Sequence, residues 1–289
     1  MKIVNILGGL GNQMFQYAMH LAVKGAHPNE NIKLCTRCFR GYGLHNGLEI
    51  QKVFGLQIPE ASIWELSKVA YPFFNYRSWQ IMYHFLPKRK SMTKGTTQIA
   101  FNANEITRTD SVFYDGYWQN ENNFKHIREQ VLRAFSFPVF NDKRNENLAM
   151  KLVGRNSVSI HIRRGDYLKD FVWCVCTPEY YQKGIQYIQT LQKIDVLCVF
   201  SDDIPWCREH LWEMGNGLDV EYVDWNKGEQ SYCDMQLMTY CKHNIIANSS
   251  FSWWGAWLGQ CAGKIVIAPK VWVNIPIQND PICENWIRL

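Results

Sequence analysis

The 289-residue sequence contains no internal repeat, no low-complexity tract and no Pro/Gly-rich linker. Solenoid architectures are thereby excluded, and any domain boundary has to be read from pattern. Charge of one sign is not in large excess either: 31 Lys and Arg against 26 Asp and Glu give a formal net charge of +5. That balance suits a small anion as well as a polyanion and names neither. Met1 leads straight into the apolar run Lys2-Ile3-Val4-Asn5-Ile6-Leu7, with no charged n-region ahead of an h-region, so no secretory signal is expected. The most apolar long stretch, 248–269, is interrupted by Gln260, Lys264 and several Ser and Gly residues, which argues against a bilayer span. Ten cysteines without a signal are expected to be reduced thiols in a cytoplasm. Cys35/Cys38 form a C-x-x-C and Cys174/Cys176 a C-x-C, but neither pair has the repeated spacing and nearby histidines of a structural zinc site.

Hydrophobic residues make up 47% of the chain, enough to fill a core in each of two domains. From about residue 157 onward, short β-branched runs at 157–162, 196–200, 220–223, 244–247 and 264–267 alternate with helical stretches, the pattern of a parallel sheet covered by helices on both faces. Polar residues gather just after these runs, in His161-Ile162-Arg163-Arg164-Gly165-Asp166, Ser201-Asp202-Asp203, Asp224 and Asn248-Ser249-Ser250. Ligands of open α/β sheets bind beyond the carboxyl ends of the strands, so one crevice is expected to collect these clusters. The first half opens with its own strand, a Gly-rich turn and a helix over 12–24; residues 60–100, dense in aromatics, are expected to be mostly helical. The boundary is placed near residue 150, with a helix at 146–153 leading into the second domain.

Gly8-Gly9-Leu10-Gly11-Asn12-Gln13 lies between strand and helix, where glycines let a ligand approach the backbone and helix N–H groups meet an anion. It is not the dinucleotide fingerprint, whose third glycine falls at Met14, and no Walker-type Gly-Lys-Ser/Thr is present. Asn12 and Gln13 add amide donors and acceptors where substrate or solvent would meet them. Paired arginines straight after a buried strand suit an anion, because a guanidinium fork matches phosphate oxygens bidentately. Strand alternation puts His161 and Arg163 on one face and turns Arg164 away, which assigns Arg163 to a phosphate and Arg164 to structural pairing, with Asp166 as its candidate partner. Asp202 and Asp203 invite comparison with a D-x-D metal site, but the spacing differs and an arginine already supplies the cation; Asp203 is expected to cap the next helix. The aromatic and amide residues of Asp115-Gly116-Tyr117-Trp118-Gln119-Asn120 suit stacking on a sugar or core packing, whereas the helically spaced Trp253, Trp254 and Trp257 read as core. Phosphoryl transfer and a non-catalytic nucleic-acid or glycan-binding module use a similar inventory; the first needs metal ligands and a phosphate loop that are missing, and the second predicts salt-sensitive polyanion binding.

Taken together, the H-x-R-R-x-D of His161 to Asp166, the run Gly8 to Tyr17, Ser201-Asp202-Asp203 and the run Asn248 to Trp257 resemble glycosyltransferase family 11, the α-1,2-fucosyltransferases, and more distantly the α-1,6- and protein O-fucosyltransferases. The resemblance implies an α/β GT-B fold of two facing Rossmann-like domains with parallel sheets: an acceptor-side domain at 1–150 and a GDP-fucose-binding domain at 151–289. It implies that His161 approaches guanine and ribose, Arg163 grips the β-phosphate and Asp234 pairs with the base. It also implies that Ser249, Ser250 and Phe251 supply hydroxyl and N–H groups to the phosphates, and that Asp202 lies by the nucleotide. At the N-terminus, Gly11 belongs to the donor-side turn and Asn12 stands near the sugar and the leaving oxygen. The implied reaction is an inverting, metal-independent transfer of fucose from GDP-fucose to O2 of a terminal β-galactose, in an oligosaccharide or a lipid-linked glycan. Asp115 and Glu121 are the candidate bases, no nucleic acid is involved, and the expected location is cytoplasmic or peripheral at the inner face of a membrane.

Overall fold

The computed structural model describes residues 1–93, 103–210, 217–277 and 280–289. The chain forms two compact units, Met1–Pro138 with Ile277–Pro281, and Val139–Pro276 with Ile282–Leu289. The division falls ahead of the position near residue 150 read from the sequence. The helix expected to lead into the second domain spans Lys143–Leu152, and its Leu148, Ala149 and Leu152 already belong to the core of the second unit.

In the N-terminal unit the elements run β1 (Lys2–Asn5), α1 (Leu10–Ala26), β2 (Ile32–Cys35), α2 (Glu49–Phe54), α3 (Ile63–Val69), α4 (Tyr76–Phe85), α5 (Ala103–Thr107), β3 (Val112–Tyr114) and α6 (Arg128–Ala134). The three strands are parallel in the order β2-β1-β3, with Val4 opposite Leu34 on one side and Tyr114 on the other. β1 is fully buried, including its polar ends: the Lys2 ammonium meets Glu30 Oε1 at 2.7 Å and Asn5 Nδ2 donates to Asp115 Oδ1 at 2.9 Å. Helix α1 starts two residues earlier than expected, so Gly11, Asn12 and Gln13 occupy its first turn and the connecting turn shrinks to Gly8 and Gly9. Gly8 has φ +95°, and a Cβ there would stand 3.0 Å from Asn12 Nδ2. Within 60–93 the expected helices are α3 and α4, each begun by a capping box, Ser62 with Glu65 and Asn75 with Ser78. Residues 94–100 of that stretch lie outside the described residues.

The C-terminal unit continues α7 (Lys143–Leu152), β4 (Ser157–Ile162), α8 (Pro178–Leu191), β5 (Val196–Ser201), α9 (Ile204–His210), β6 (Asp219–Val223), α10 (Tyr232–Tyr240), β7 (His243–Ile245), α11 (Ser250–Leu258), β8 (Val266–Ala268) and β9 (Ile287–Arg288). The sheet is parallel throughout, ordered β6-β5-β4-β7-β8-β9. Numbered within the unit this is 3-2-1-4-5-6, the Rossmann order, whose direction reverses between β4 and β7. Val158, Ile160 and Ile162 join one core cluster with Ile185 and Ile188 of α8, while on the other face Cys198 and Phe200 pack with Leu148 of α7 and Leu237 of α10. Helix α11 is apolar on every side, and Trp253, Trp254 and Trp257 are 0%, 0% and 4% exposed, the core role read from their spacing.

Gln13 departs from its sequence reading, because it is fully buried and saturated within the fold. Its Nε2 donates to Gly8 O and Gly47 O, both at 2.8 Å, and its Oε1 accepts from Glu49 N at 2.8 Å and Ile50 N at 3.2 Å, holding the α2 start to the β1–α1 turn. Gln13→Met keeps the volume but strips partners from four backbone groups. Since each buried orphan costs roughly 1–3 kcal/mol, a loss of about 3 kcal/mol or more is expected in urea unfolding.

Candidate active site

β4 delivers His161 and, one residue beyond its end, Arg163 to the reversal point beside β7. His161 is buried, its ring lies 5.8 Å from the Phe251 ring, and its Nδ1 has no hydrogen-bond partner. Burial, reinforced by the nearby Arg163, pushes its pKa down to about 3, so the imidazole is neutral at physiological pH. Arg163 is 33% exposed and held between two carboxylates, NH2 to Asp166 Oδ1 at 2.7 Å and NH1 to Asp202 Oδ2 at 3.2 Å. A Cβ at Gly165 would lie 2.8 Å from that Asp202 oxygen, so glycine is what lets the carboxylate close on the arginine.

Asp166 therefore pairs with Arg163 and not with Arg164, correcting the sequence expectation. The strand ends at Ile162, past which alternation no longer governs direction, and both arginines reach the carboxylates that follow β5. Arg164 meets Asp203 Oδ2 at 3.2 Å through Nε and lies 3.7 Å over the Trp206 ring, a structural anchorage. Asp203 also caps α9, its Oδ1 accepting from Trp206 N at 3.2 Å. Asp202 spends its other oxygen on Arg164 N–H, at 2.9 Å, so both of its oxygens fix the arginine loop.

A recess at this strand end is lined by Arg163, Arg164, Tyr167, Trp173, Trp206 and Asn248, among others. Asn248 was not singled out by itself in the sequence, yet it ties the recess together. Its Nδ2 donates to Trp173 O at 2.9 Å and Trp272 O at 3.0 Å, and its carbonyl accepts from Tyr167 OH at 3.3 Å. Ser249 follows as the N-cap of α11, its hydroxyl accepting from Phe251 N at 3.3 Å, and Ser250 opens the helix. The nine-residue helix thus presents its positive dipole end at the carboxyl edge of the sheet, where an anion is stabilised. Asp234, in the first turn of α10, has no hydrogen bond or ion pair to this group among the described residues. It accepts from Asn226 Nδ2 at 2.8 Å, in a chain continued through the Asn145 amide to the Asp142 carboxylate. Burial pushes its pKa up to about 7 against the opposing Asn226 bond.

In the N-terminal unit Asp115 follows β3 and is buried, with Oδ1 accepting from Asn5 Nδ2 at 2.9 Å and Oδ2 from Trp79 Nε1 at 3.4 Å. Desolvation raises its pKa, with those two bonds opposing. Asn12 accepts from Gln119 Nε2 at 2.6 Å, and Gly11 is buried in the same helical turn. Glu121 starts a 3-10 turn farther along, half-buried. Trp118 is 5% exposed at φ +54° with its ring 5.9 Å from Tyr114, and so packs the core, whereas Tyr117 stays half-buried. Burial pushes the Cys35 thiol up to about 12 and Cys38 higher still. Among the described residues no three His, Cys, Asp or Glu side chains gather as metal ligands. No helix among them is long and apolar enough to cross a membrane.

Residues 68–289 match the model of glycosyl transferase family 11. The chain is 35% identical to an α-1,2-colitosyltransferase of Escherichia coli, over 99% of this chain and 98% of that one. It is 23% identical to galactoside α-(1,2)-fucosyltransferase 2 of Gorilla gorilla gorilla, over 89% of this chain and 69% of the relative. Among solved structures it is similar to NodZ, an α-1,6-fucosyltransferase soaked with GDP-fucose, with a TM-score of 0.52 and 14% identity over 89% of this chain and 91% of that one. The fold is therefore GT-B, as the sequence implied.

The raised pKa of Asp234 fixes a sign. The folded state keeps a proton that the unfolded chain releases near pH 4, so the stability this group contributes is present below about pH 4 and lost as pH rises through about 7. The melting temperature of the ligand-free protein, measured against Asp234→Asn, is expected to fall across that window, and parallel curves would contradict the assignment.

Proposed function

Starting from the fact that this chain belongs to glycosyl transferase family 11, we propose that it transfers L-fucose from GDP-β-L-fucose to O2 of a terminal β-galactoside, with inversion and without a metal. The observation that carries this reading is the partly exposed Arg163 guanidinium at the β4 end, on a recess it shares with Asn248, two residues before the start of α11. A nucleoside diphosphate leaving group gathers negative charge as its bond to C1 lengthens. A preorganised guanidinium and a helix N-terminus stabilise that charge as a metal would, and more strongly in a site sheltered from water.

In this reaction the acceptor O2 attacks C1 opposite the diphosphate, the C1–O bond breaks with its electron pair leaving on GDP, and the O2 proton passes to a base. Asp115 is the base we favour over Glu121, since desolvation raises its affinity for a proton. Asp234 is the guanine partner: two parallel donors, N1–H and the 2-amino group, suit a carboxylate, and the adenine edge lacks them. His161, neutral and with a free Nδ1, is suited to a ribose hydroxyl without adding charge. The colitosyltransferase relative favours a second donor reading, because colitose is fucose without its 3-hydroxyl and a GDP-colitose donor would meet the same diphosphate site. Parallel assays with the two donors separate these readings.

Arg163→Ala is expected to lower kcat by roughly 100- to 1000-fold, the scale of losing one preorganised charge-stabilising donor. Its unfolding midpoint should stay near that of the wild type, and EDTA should leave wild-type turnover of GDP-fucose with lactose unchanged. Near-normal turnover in the variant, or activity abolished by EDTA and restored by Mn²⁺, would contradict the reading.

A further inference from the structure

Four tyrosines from three stretches of the N-terminal unit, Tyr76 and Tyr83 both on α4, gather near Asp115. Tyr42 stands edge-on to Tyr76 with ring centroids 4.9 Å apart, Tyr76 stacks on Trp79 at 5.7 Å and Trp79 on Tyr83 at 5.2 Å. The Trp79 indole N–H reaches Asp115, which joins this aromatic row to the buried carboxylate. Tyr117 comes from the loop after β3, its ring 3.5 Å from where a Cβ on Gly8 would be, a point that Asn12 Nδ2 approaches to 3.0 Å. Electrostatic reach links Tyr117 with Tyr76, Tyr83 and Asp115, and Tyr42 with Tyr117 and Tyr76; burial raises the pKa of Tyr117 and that of Tyr42, the latter to about 12.

All four rings are half-buried, and none of the four hydroxyls has a hydrogen-bond partner among the described residues. Phenols in that position need outside partners, because a desolvated hydroxyl left unpaired costs free energy. A cup of O–H groups that donate and accept, beside ring edges and a carboxylate, is complementary to a pyranose, whose hydroxyls do the same and whose C–H faces are apolar. Asp115 also sets the charge, since Lys88, whose ammonium lies 5.1 Å from the Tyr83 ring centroid, is exposed and screened by water. An ionised uronic or sialic acid would meet a carboxylate in a poorly screened site, whereas a neutral hexose would not.

We propose that Tyr42, Tyr76, Tyr83 and Tyr117, with Asp115, form the seat of the acceptor sugar and select a neutral terminal hexose over an acidic one. The proposal rests on the transferase reading above, and its test separates the two. In the full chain, Tyr76→Phe, Tyr83→Phe and Tyr117→Phe remove one hydroxyl each while keeping the ring. At least one is expected to raise the acceptor KM for lactose about tenfold, the effect of a lost hydrogen bond, with kcat changed less than about threefold. GDP affinity by calorimetry, and GDP-fucose hydrolysis without acceptor, should be unchanged. Ligand-observed NMR, which needs no turnover, should show saturation transfer to lactose but not to methyl β-glucuronide, weakened in the same variants at unchanged melting temperature. Unchanged acceptor KM in all three variants, no lactose signal from the wild type, or equal signals from lactose and the glucuronide would overturn the seat. Failure to bind GDP or turn over GDP-fucose, with the lactose signal intact, would overturn the donor reading instead.

Discussion

In a sheet ordered β6-β5-β4-β7-β8-β9, the chain leaves β4 toward one edge and returns at β7 to build toward the other, so the crossovers diverge and leave the carboxyl ends of these two strands uncovered. What the sequence places in that gap decides what the unit can bind. It places a guanidinium after β4 and a serine-capped helix start after β7, two sources of positive potential on neighbouring strands. The cation is not left bare. Asp166 and Asp202 hold Arg163 in one orientation, and Asp203 with Trp206 holds its neighbour, so the guanidinium is already aimed by carboxylates partly open to water.

The strand ends of the two units differ in charge. The C-terminal unit carries arginines, a neutral histidine and a helix N-terminus. The N-terminal unit carries a buried carboxylate among amides and phenols, from Asn5 and Asn12 to Tyr117.

How much of this was legible before the fold depended on whether information lay along the chain or across it. The strands β4 and β5 announced themselves as β-branched runs, and the residues just past them, Arg163 and Asp202, could be placed from that alone. β2 was passed over because it is short and carries Lys33 and Cys35 in place of a β-branched run. Which carboxylate each arginine meets was not legible, since Asp202 and Asp203 come from the next strand and alternation stops at Ile162. Gln13 looked available for substrate because a sequence shows an amide's capacity but not its saturation, and four backbone groups of the fold had already taken it up. Of the phenol cluster only Tyr117 was marked, as part of the segment suited to sugar stacking; Tyr42, Tyr76 and Tyr83 form no motif with it, and the packing of α4 and the β3 loop brings them together.

The claim on which all of this rests is that the gap between β4 and β7 receives the diphosphate. A crystal structure of the protein with GDP bound measures it directly. The account predicts β-phosphate oxygens within hydrogen-bond distance of the Arg163 guanidinium and of the N–H groups that open α11. A nucleotide seated elsewhere, or phosphates turned away from Arg163, would contradict it.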